Sequence, residues 1–378
     1  MRRPGATNGN AATADSTGET STVATSTPLE RMTARGPAAL WNDSADPREL
    51  AQSIAWGAVG ATCNPVIAVT CIKNDHARWI ARIGEIAAER PHATESQIGW
   101  QVVEEISLEA ARLLEPAFER HAGRNGRISM QTDPRLARDP RAVVEQAVHF
   151  SSLAKNIVVK VPATEQGIVA IEEAVVRGVS VNVTVSFSVP QAVAAAEAIE
   201  RGLRAREAAG HDVSSMGHVV TIMVGRLDDW LRDIAKRDAI DIDPGLLDWA
   251  GIAAFKRAYG IFRERGYRAR LLSAAFRTTM HWSELLGGDV VISPPFAWQE
   301  RIQASGLDPE PRIDVPVDPA IVDALLTSFP DFQRAYDPEG MTPAEFDSFG
   351  ATRKTLRQFL AADADLDQIV RNVLIPAP

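Results

Sequence analysis

Residues 156–164 read NIVVKVPAT, and the reading of this stretch decides the fold. Ile157, Val158, Val159 and Val161 form a β-branched run, which favours an extended strand because side chains branched at Cβ pack well on a pleated surface. Neighbours in a strand alternate faces, so Val158, Lys160 and Pro162 share one side, and Ile157, Val159 and Val161 share the other. A strand apolar on both faces belongs in a buried parallel sheet. Lys160 then projects into the protein interior. Burial favours the neutral amine, and a neutral amine attacks ketones. A purely structural reading, a buried lysine held by a carboxylate, stands beside this one on the stretch alone.

Upstream, helical patterns cover about 140–154, 95–120 and 66–90, the last marked by Ile67, Val69, Ile72, Trp79, Ile80, Ile83 and Ile86. Between them lie strand patterns at RISMQTD (127–133) and Ala58 to Asn64. In the first of these, alternation puts Ser129, Gln131 and Asp133 on one face. Leu40 and Trp41 end another strand at Asn42, Asp43 and Ser44, and Asp46-Pro47 opens a helix. Downstream, VNVTVSFS (181–188) alternates cleanly, with Val181, Val183, Val185 and Phe187 on one face and Asn182, Thr184, Ser186 and Ser188 on the other. A helix from Pro190 to about Ala208 follows. Three more strands read at 219–224, ahead of Gly225-Arg226, at 269–276, ahead of Arg277, and at 289–293, closed by Pro294-Pro295.

Eight short strands separated by helical segments predict a (β/α)8 TIM barrel. An open doubly wound sheet is the alternative, but no Gly-rich strand-to-helix turn supports its nucleotide-binding form. Residues 1–26, rich in Thr, Ser, Ala and Gly with no apolar period, read as a disordered leader. The barrel spans 27–378, with a helical extension from about 297. In that extension Thr342-Pro343-Ala344-Glu345 reads as a capping box ahead of a helix carrying Phe346, Phe349, Leu356 and Phe359.

The net charge of −9 argues against a general nucleic-acid or anionic-membrane surface. No apolar run approaches the ~20 residues of a membrane span. Two cysteines, Cys63 and Cys71, make no disulfide framework, which points to a reducing, cytoplasmic setting. The seven histidines are scattered without metal-ligand spacing, so neither a metal nor a cofactor is expected. In a barrel of this kind, chemistry sits where the strands end. The polar residues there are Asp43, Asn64, Gln131, Lys160, Asn182, Thr184, Thr221, Arg226 and Arg277. One amine, one acid, several amides and hydroxyls and two guanidiniums read as a metal-free amine catalyst with an anion clamp, since each arginine fork can give a phosphate two hydrogen bonds. For either arginine taken alone, a surface salt bridge is the commoner role.

With these pieces in place the chain resembles the transaldolase family of the class I aldolase superfamily. The resemblance rests on LWNDS at 40–44, GATCNP at 60–65, ISMQTDPRL at 128–136, NIVVKVPAT at 156–164, VNVTVSFS at 181–188, VGRLDDW at 224–230 and AAFR at 274–277, in the family's order. It implies a (β/α)8 barrel acting through a lysine Schiff base. It implies that Lys160 is that lysine and that Asp43 takes the proton of the substrate hydroxyl during carbon–carbon cleavage. Asn64, Asn182 and Thr184 match polar residues around the substrate and the catalytic water, and Arg226 and Arg277 match the phosphate-binding arginines. The implied partners are a ketose phosphate donor and an aldose phosphate acceptor, and a homodimer is left open as the assembly. Three positions depart from the family. Gln131 stands where transaldolases usually have Glu and where the related fructose-6-phosphate aldolases have Gln; an amide holds a water but cannot take its proton. Ala275 stands where a Ser is common, and Met223 where an aromatic is common. The resemblance therefore implies a transaldolase, with a fructose-6-phosphate aldolase-like lyase or a non-catalytic sugar-phosphate-binding barrel as alternatives.

Overall fold

Eight strands follow one another round a ring in sequence order: β1 (Ala39–Asn42), β2 (Ala58–Cys63), β3 (Arg127–Gln131), β4 (Ile157–Pro162), β5 (Val181–Thr184), β6 (Val219–Ile222), β7 (Arg270–Ala274) and β8 (Val291–Ser293). All pairings are parallel, and β8 closes on β1 through Ala39↔Val291 and Leu40↔Ile292. Closure removes both edges and excludes the open doubly wound sheet. The structure, a computed structural model, describes residues 26–376. The leader expected over 1–26 therefore lies outside the described residues, apart from Ser26.

The strand pattern separates two apolar regions. Ala39, Trp41, Val158, Val219, Leu272, Ala274 and Val291 fill the barrel interior. The opposite faces, such as Val159, Val161, Val181 and Val183, pack outward under the helices. Trp41 needs space inside the ring, and Gly60 on the adjacent strand provides it: a Cβ there would lie 2.3 Å from the indole nitrogen.

Several strands pass into their helices through a short polar cap. Asp46 accepts from the N–H groups of Arg48 (2.9 Å) and Glu49 (3.4 Å), ahead of Pro47. Asn64 accepts from Ile67 N–H at 3.0 Å, ahead of Pro65. Thr164 and Ser188 cap the helices after β4 and β5. Each cap satisfies an otherwise orphan donor, and proline at the first turn gives up no hydrogen bond, so the chain turns sharply at the top of the barrel.

Several boundaries differ from the sequence reading. The helix expected over 66–90 breaks at Asp75 (φ −131°, ψ 57°) into Pro65–Asn74 and His76–Glu89. The first buries Ala68, Val69, Cys71 and Ile72, the second Trp79, Ile83 and Ile86, so one straight rod does not serve both sets of contacts. β3 stops at Gln131, and Asp133 caps a short 3-10 turn instead of extending the strand. β5 ends at Thr184 because Val185 turns to φ +51°. The capping box at Thr342 is present, but its helix ends at Phe346. Phe349, Leu356 and Phe359 belong to the cap and body of a separate 25-residue helix, Gly350–Leu374. That last helix packs on the Pro65–Asn74, Glu95–Arg120 and Val224–Asp238 helices, and its Gln358 and Asp363 meet Arg226, beyond β6, and Arg135, beyond β3, so it crosses the barrel mouth. A further helix, Pro28–Arg35, precedes β1 and buries Leu29 and Met32.

Candidate active site

The register of the sheet assembles the site. Gln131 pairs with Lys160, Lys160 with Asn182, and Pro162 with Thr184. Side chains paired across neighbouring strands project to the same face, so Gln131, Lys160, Asn182 and Thr184 all point into the barrel. Asp43 directly follows β1, where its N–H donates to Pro294 O at 3.2 Å. Thr62 and Ser129 form another inward pair, and Ser293 ends β8. These three hydroxyls are missing from the sequence-derived set. Alternation already put Ser129 on the face of Gln131, and the same signal within β2 and β8 would have included Thr62 and Ser293.

Lys160 is 4% exposed, on a strand whose other inward residues are apolar or Pro. Burial lowers the pKa of its amine, and nearby Arg226 lowers it further, while Asp43 and Cys63 act in the other direction. Asp43 keeps part of its surface open toward the mouth, yet burial still raises the pKa of its carboxyl against the pull of Lys160, Arg226 and Arg277. The two shifts move toward each other because burial disfavours the charged form of both groups. Cys63 is pushed up to about 11 by burial, so it remains a thiol.

The remaining inward groups fall into two kinds. Asn182 is held at both ends of its amide: Nδ2 donates to Ser129 Oγ at 2.9 Å, and Oδ1 accepts from Thr221 Oγ1 at 2.8 Å. Asn64 spends its oxygen on its helix cap. Both amides are thus fixed in place by neighbours within the protein. By contrast, the buried Gln131 Oε1 and Ser293 Oγ have no hydrogen-bond partner among the described residues, and Thr184 Oγ1 reaches only Met223 Sδ, at 4.0 Å. Such atoms suit the hydroxyls of a bound ligand. Glu165, the carboxylate next in sequence to the Thr164 cap, is exposed at the first turn of the helix after β4.

Arg226 and Arg277 leave the ends of β6 and β7. Gly225 makes their approach close: a Cβ there would lie 2.1 Å from Ala275 O and 2.6 Å from Arg277 Cγ. Ala275 itself sits at φ +63°. The pKa of Arg226 is lowered by burial and by Arg277. Arg226 donates to Gln358 Oε1 at 2.6 Å and lies 5.9 Å from the Phe359 ring centroid, both on the helix across the mouth. Its buried Nε has no partner among the described residues. The Arg277 fork is already occupied by Asp229, through Nε at 3.0 Å and Nη2 at 2.8 Å. The sequence reading gives Asp229, Gln358 and Phe359 no role at the site, because only the tertiary fold brings them to the arginines.

Among the described residues no group of three or more His, Cys, Asp or Glu is placed to hold a metal ion. No helix among them is long and apolar enough to cross a membrane. A cavity of about 670 Å³ on the outer wall, lined in part by Lys256, Tyr259, Val315 and Tyr336, contains none of the candidate residues.

Comparison with known proteins adds to this geometry. A family model described as Transaldolase/Fructose-6-phosphate aldolase matches residues 40–334. The transaldolase of Mycobacterium ulcerans (strain Agy99) is 32% identical over 212 residues, covering 54% of this chain and 55% of that relative. The transaldolase of Mycobacterium tuberculosis (strain ATCC 25618 / H37Rv) matches with the same identity and coverage. That of Mycolicibacterium paratuberculosis (strain ATCC BAA-968 / K-10) is 29% identical over 290 residues, covering 74% of this chain and 77% of the relative. The chain thus spans about half the length of the first of these relatives. The family match runs from Leu40 in β1 past β8 and takes in Asp43, Asn64, Gln131, Lys160, Asn182, Thr184, Thr221, Arg226 and Arg277, and on that extent the chain belongs to the transaldolase/fructose-6-phosphate aldolase family.

Proposed function

We propose that this protein is a transaldolase, moving a three-carbon dihydroxyacetone unit from a ketose phosphate to an aldose phosphate through a Schiff base on Lys160. The observation that carries the reading is the buried Lys160 amine, its pKa lowered, with Asp43 close enough to act on its charge. The neutral amine adds to the C2 carbonyl of the donor and, with loss of water, forms an iminium. The iminium takes up the electron pair released when the C3–C4 bond breaks, while Asp43 removes the proton of the C4 hydroxyl. An aldose phosphate leaves, and a three-carbon enamine stays on Lys160. The enamine carbon then attacks the aldehyde of the acceptor, Asp43 returns the proton to the new hydroxyl, and water releases the product. Arg226 and Arg277 bind the terminal phosphate, while Asn64, Asn182, Thr184 and Thr221 shape the cavity around the sugar. This chemistry uses no metal or cofactor.

Borohydride reduction tests the reading. With a ketose phosphate present, the peptide carrying Lys160 gains a three-carbon or whole-sugar mass, and Lys160→Ala abolishes both adduct and turnover. An adduct on another lysine, or full activity in the variant, refutes it. A second reading, a simple aldolase releasing free dihydroxyacetone, is favoured by Gln131, whose amide holds a water without taking its proton. Assays with and without an acceptor aldose phosphate separate transfer from release.

A further inference from the structure

We propose that Gln191, a residue that touches neither of the reacting groups, is the positioning residue that sets the upper ends of β4 and β5, and with them Lys160 and Thr184. The proposal rests on the Schiff-base reading of Lys160. Gln191 lies in the first turn of the Val189–Ala208 helix and is 0% exposed. The spacing Ser188–Gln191 has the form of a capping box, in which the glutamine side chain would reach back to the cap's own N–H. Here the side chain does something else. Its Nε2 donates to Ala163 O at 3.1 Å and to Val185 O at 3.0 Å, with Thr352 Oγ1 further off at 3.4 Å. Its Oε1 accepts from Phe187 N–H at 3.1 Å and from Ser188 Oγ at 2.9 Å. The amide has two hydrogens and two lone pairs, and close partners account for all four.

The placement of those partners carries the argument. Ala163 lies three residues beyond Lys160, and its N–H makes the uppermost β4–β5 contact, donating to Thr184 O at 2.7 Å. Immediately above that contact the two chains diverge, leaving Ala163 O and Val185 O without a strand partner. Gln191 bridges both carbonyls and so continues the ladder with a side chain. It also stands over a strained residue. Val185 has φ +51° and is 1% exposed. A β-branched residue in the left-handed region is an outlier that persists only where its surroundings hold it, and such strain gathers at functional sites. The left-handed turn ends the alternation of β5 directly after Thr184. Ser186 O nevertheless still accepts from Met223 N–H at 2.9 Å, so β5 stays tied to β6 across the kink. Through Thr352 the same amide touches the helix that spans the mouth.

The test compares Gln191→Ala, Gln191→Met, Gln191→Glu, Val185→Gly and the double variant Gln191→Ala/Val185→Gly. It uses ketose phosphate donor and aldose phosphate acceptor, well below each variant's Tm. Borohydride mapping on the unaltered protein decides separately whether Lys160 is the reacting amine, so failure of that reading is distinguishable from failure of this one. A displacement of the reacting groups by about 1 Å costs on the order of 100-fold in rate. We therefore expect Gln191→Ala and Gln191→Met to lose on the order of 30- to 100-fold in kcat, with KM for the phosphorylated donor within about 3-fold, since the phosphate clamp stands on other strands. Gln191→Glu keeps the two acceptor contacts and loses the two donor contacts, and should fall between. Glycine reaches a positive φ without steric cost, so Val185→Gly alone should retain kcat and, in the double variant, recover at least about 10-fold of the loss. A folded Gln191→Met or Gln191→Glu with unchanged kcat overturns the proposal, as does a double variant no faster than Gln191→Ala. If Gln191→Ala does not fold, the Met and Glu variants, each also combined with Val185→Gly, decide the matter in the same way.

Discussion

At the scale of single residues, the two arginines are unequal. Arg226 keeps a buried Nε without a partner among the described residues, whereas the Arg277 fork is filled by Asp229. On the proposed reading a phosphate would compete with that carboxylate at Arg277, and at Arg226 only with the neutral Gln358 amide. Arg226→Ala should weaken phosphorylated donors by about 1.5–3 kcal/mol, and Arg277→Ala by less. Unphosphorylated sugars should be nearly unaffected by either change. Steady-state KM and competition by inorganic phosphate check this, and equal losses for both substrate types would make the arginines structural. Gln131 is the other informative residue. Its Oε1 is buried without a partner among the described residues, beside Lys160 in register, where a carboxylate would titrate. Gln131→Glu is nearly isosteric. It should raise the transfer rate relative to release, or give the rate a new acid limb that is absent from the unaltered protein. Unchanged rates, product ratio and pH profile would remove Gln131 from the proton path.

At the scale of elements, the helix across the mouth has its own electrostatic anchor. Arg135, beside the end of β3, lies 2.7 Å from Asp133 within its own loop, 3.0 Å from Asp363 and 3.3 Å from Asp367, the last two on the Gly350–Leu374 helix. Three carboxylates thus meet one guanidinium. The Asp363 carboxyl is pushed up to about 6 by burial and by Asp133 and Asp367, against the pull of Arg135. An unfolded aspartate titrates near ~3.9. The folded state therefore holds this proton more tightly, so the group's stabilising contribution is complete below about pH 4 and is lost as pH rises through about 6. Asp363→Asn removes the charge while keeping the shape. It should raise Tm at pH 8, by an effect on the order of 1–2 kcal/mol, with the gain shrinking toward pH 5. A Tm difference that is constant from pH 5 to pH 8 would show that the carboxyl titrates normally.

At the scale of the whole molecule, stability follows from the closed ring and the two apolar regions on either side of it. Residues 1–25 carry no apolar period that could join either region. Their removal should leave Tm and kcat nearly unchanged, as measured by thermal melts and donor–acceptor assays. A clear drop in either would mean that this segment packs on the barrel. The strands and their inward faces were legible in the chain because both depend on local rules. β-Branched runs mark strands, and a period of two assigns Lys160, Gln131, Asn182 and Thr184 to one side. Polar caps, each followed by proline in the first turn, mark the helical turns after β1, β2, β3 and β5. What only the tertiary structure decided concerns contacts between segments far apart in sequence, for which a local pattern carries no signal. Asp229 occupies the fork of Arg277, Gln358 and Phe359 hold Arg226 from across the mouth, and Gln191 spans the tops of two strands. Val185 is the plainest case: the alternation of 181–188 reads as one unbroken strand, yet the chain turns left-handed there, held by the Gln191 side chain six residues on and by Met223 N–H on Ser186 O, against the local preference of a β-branched residue.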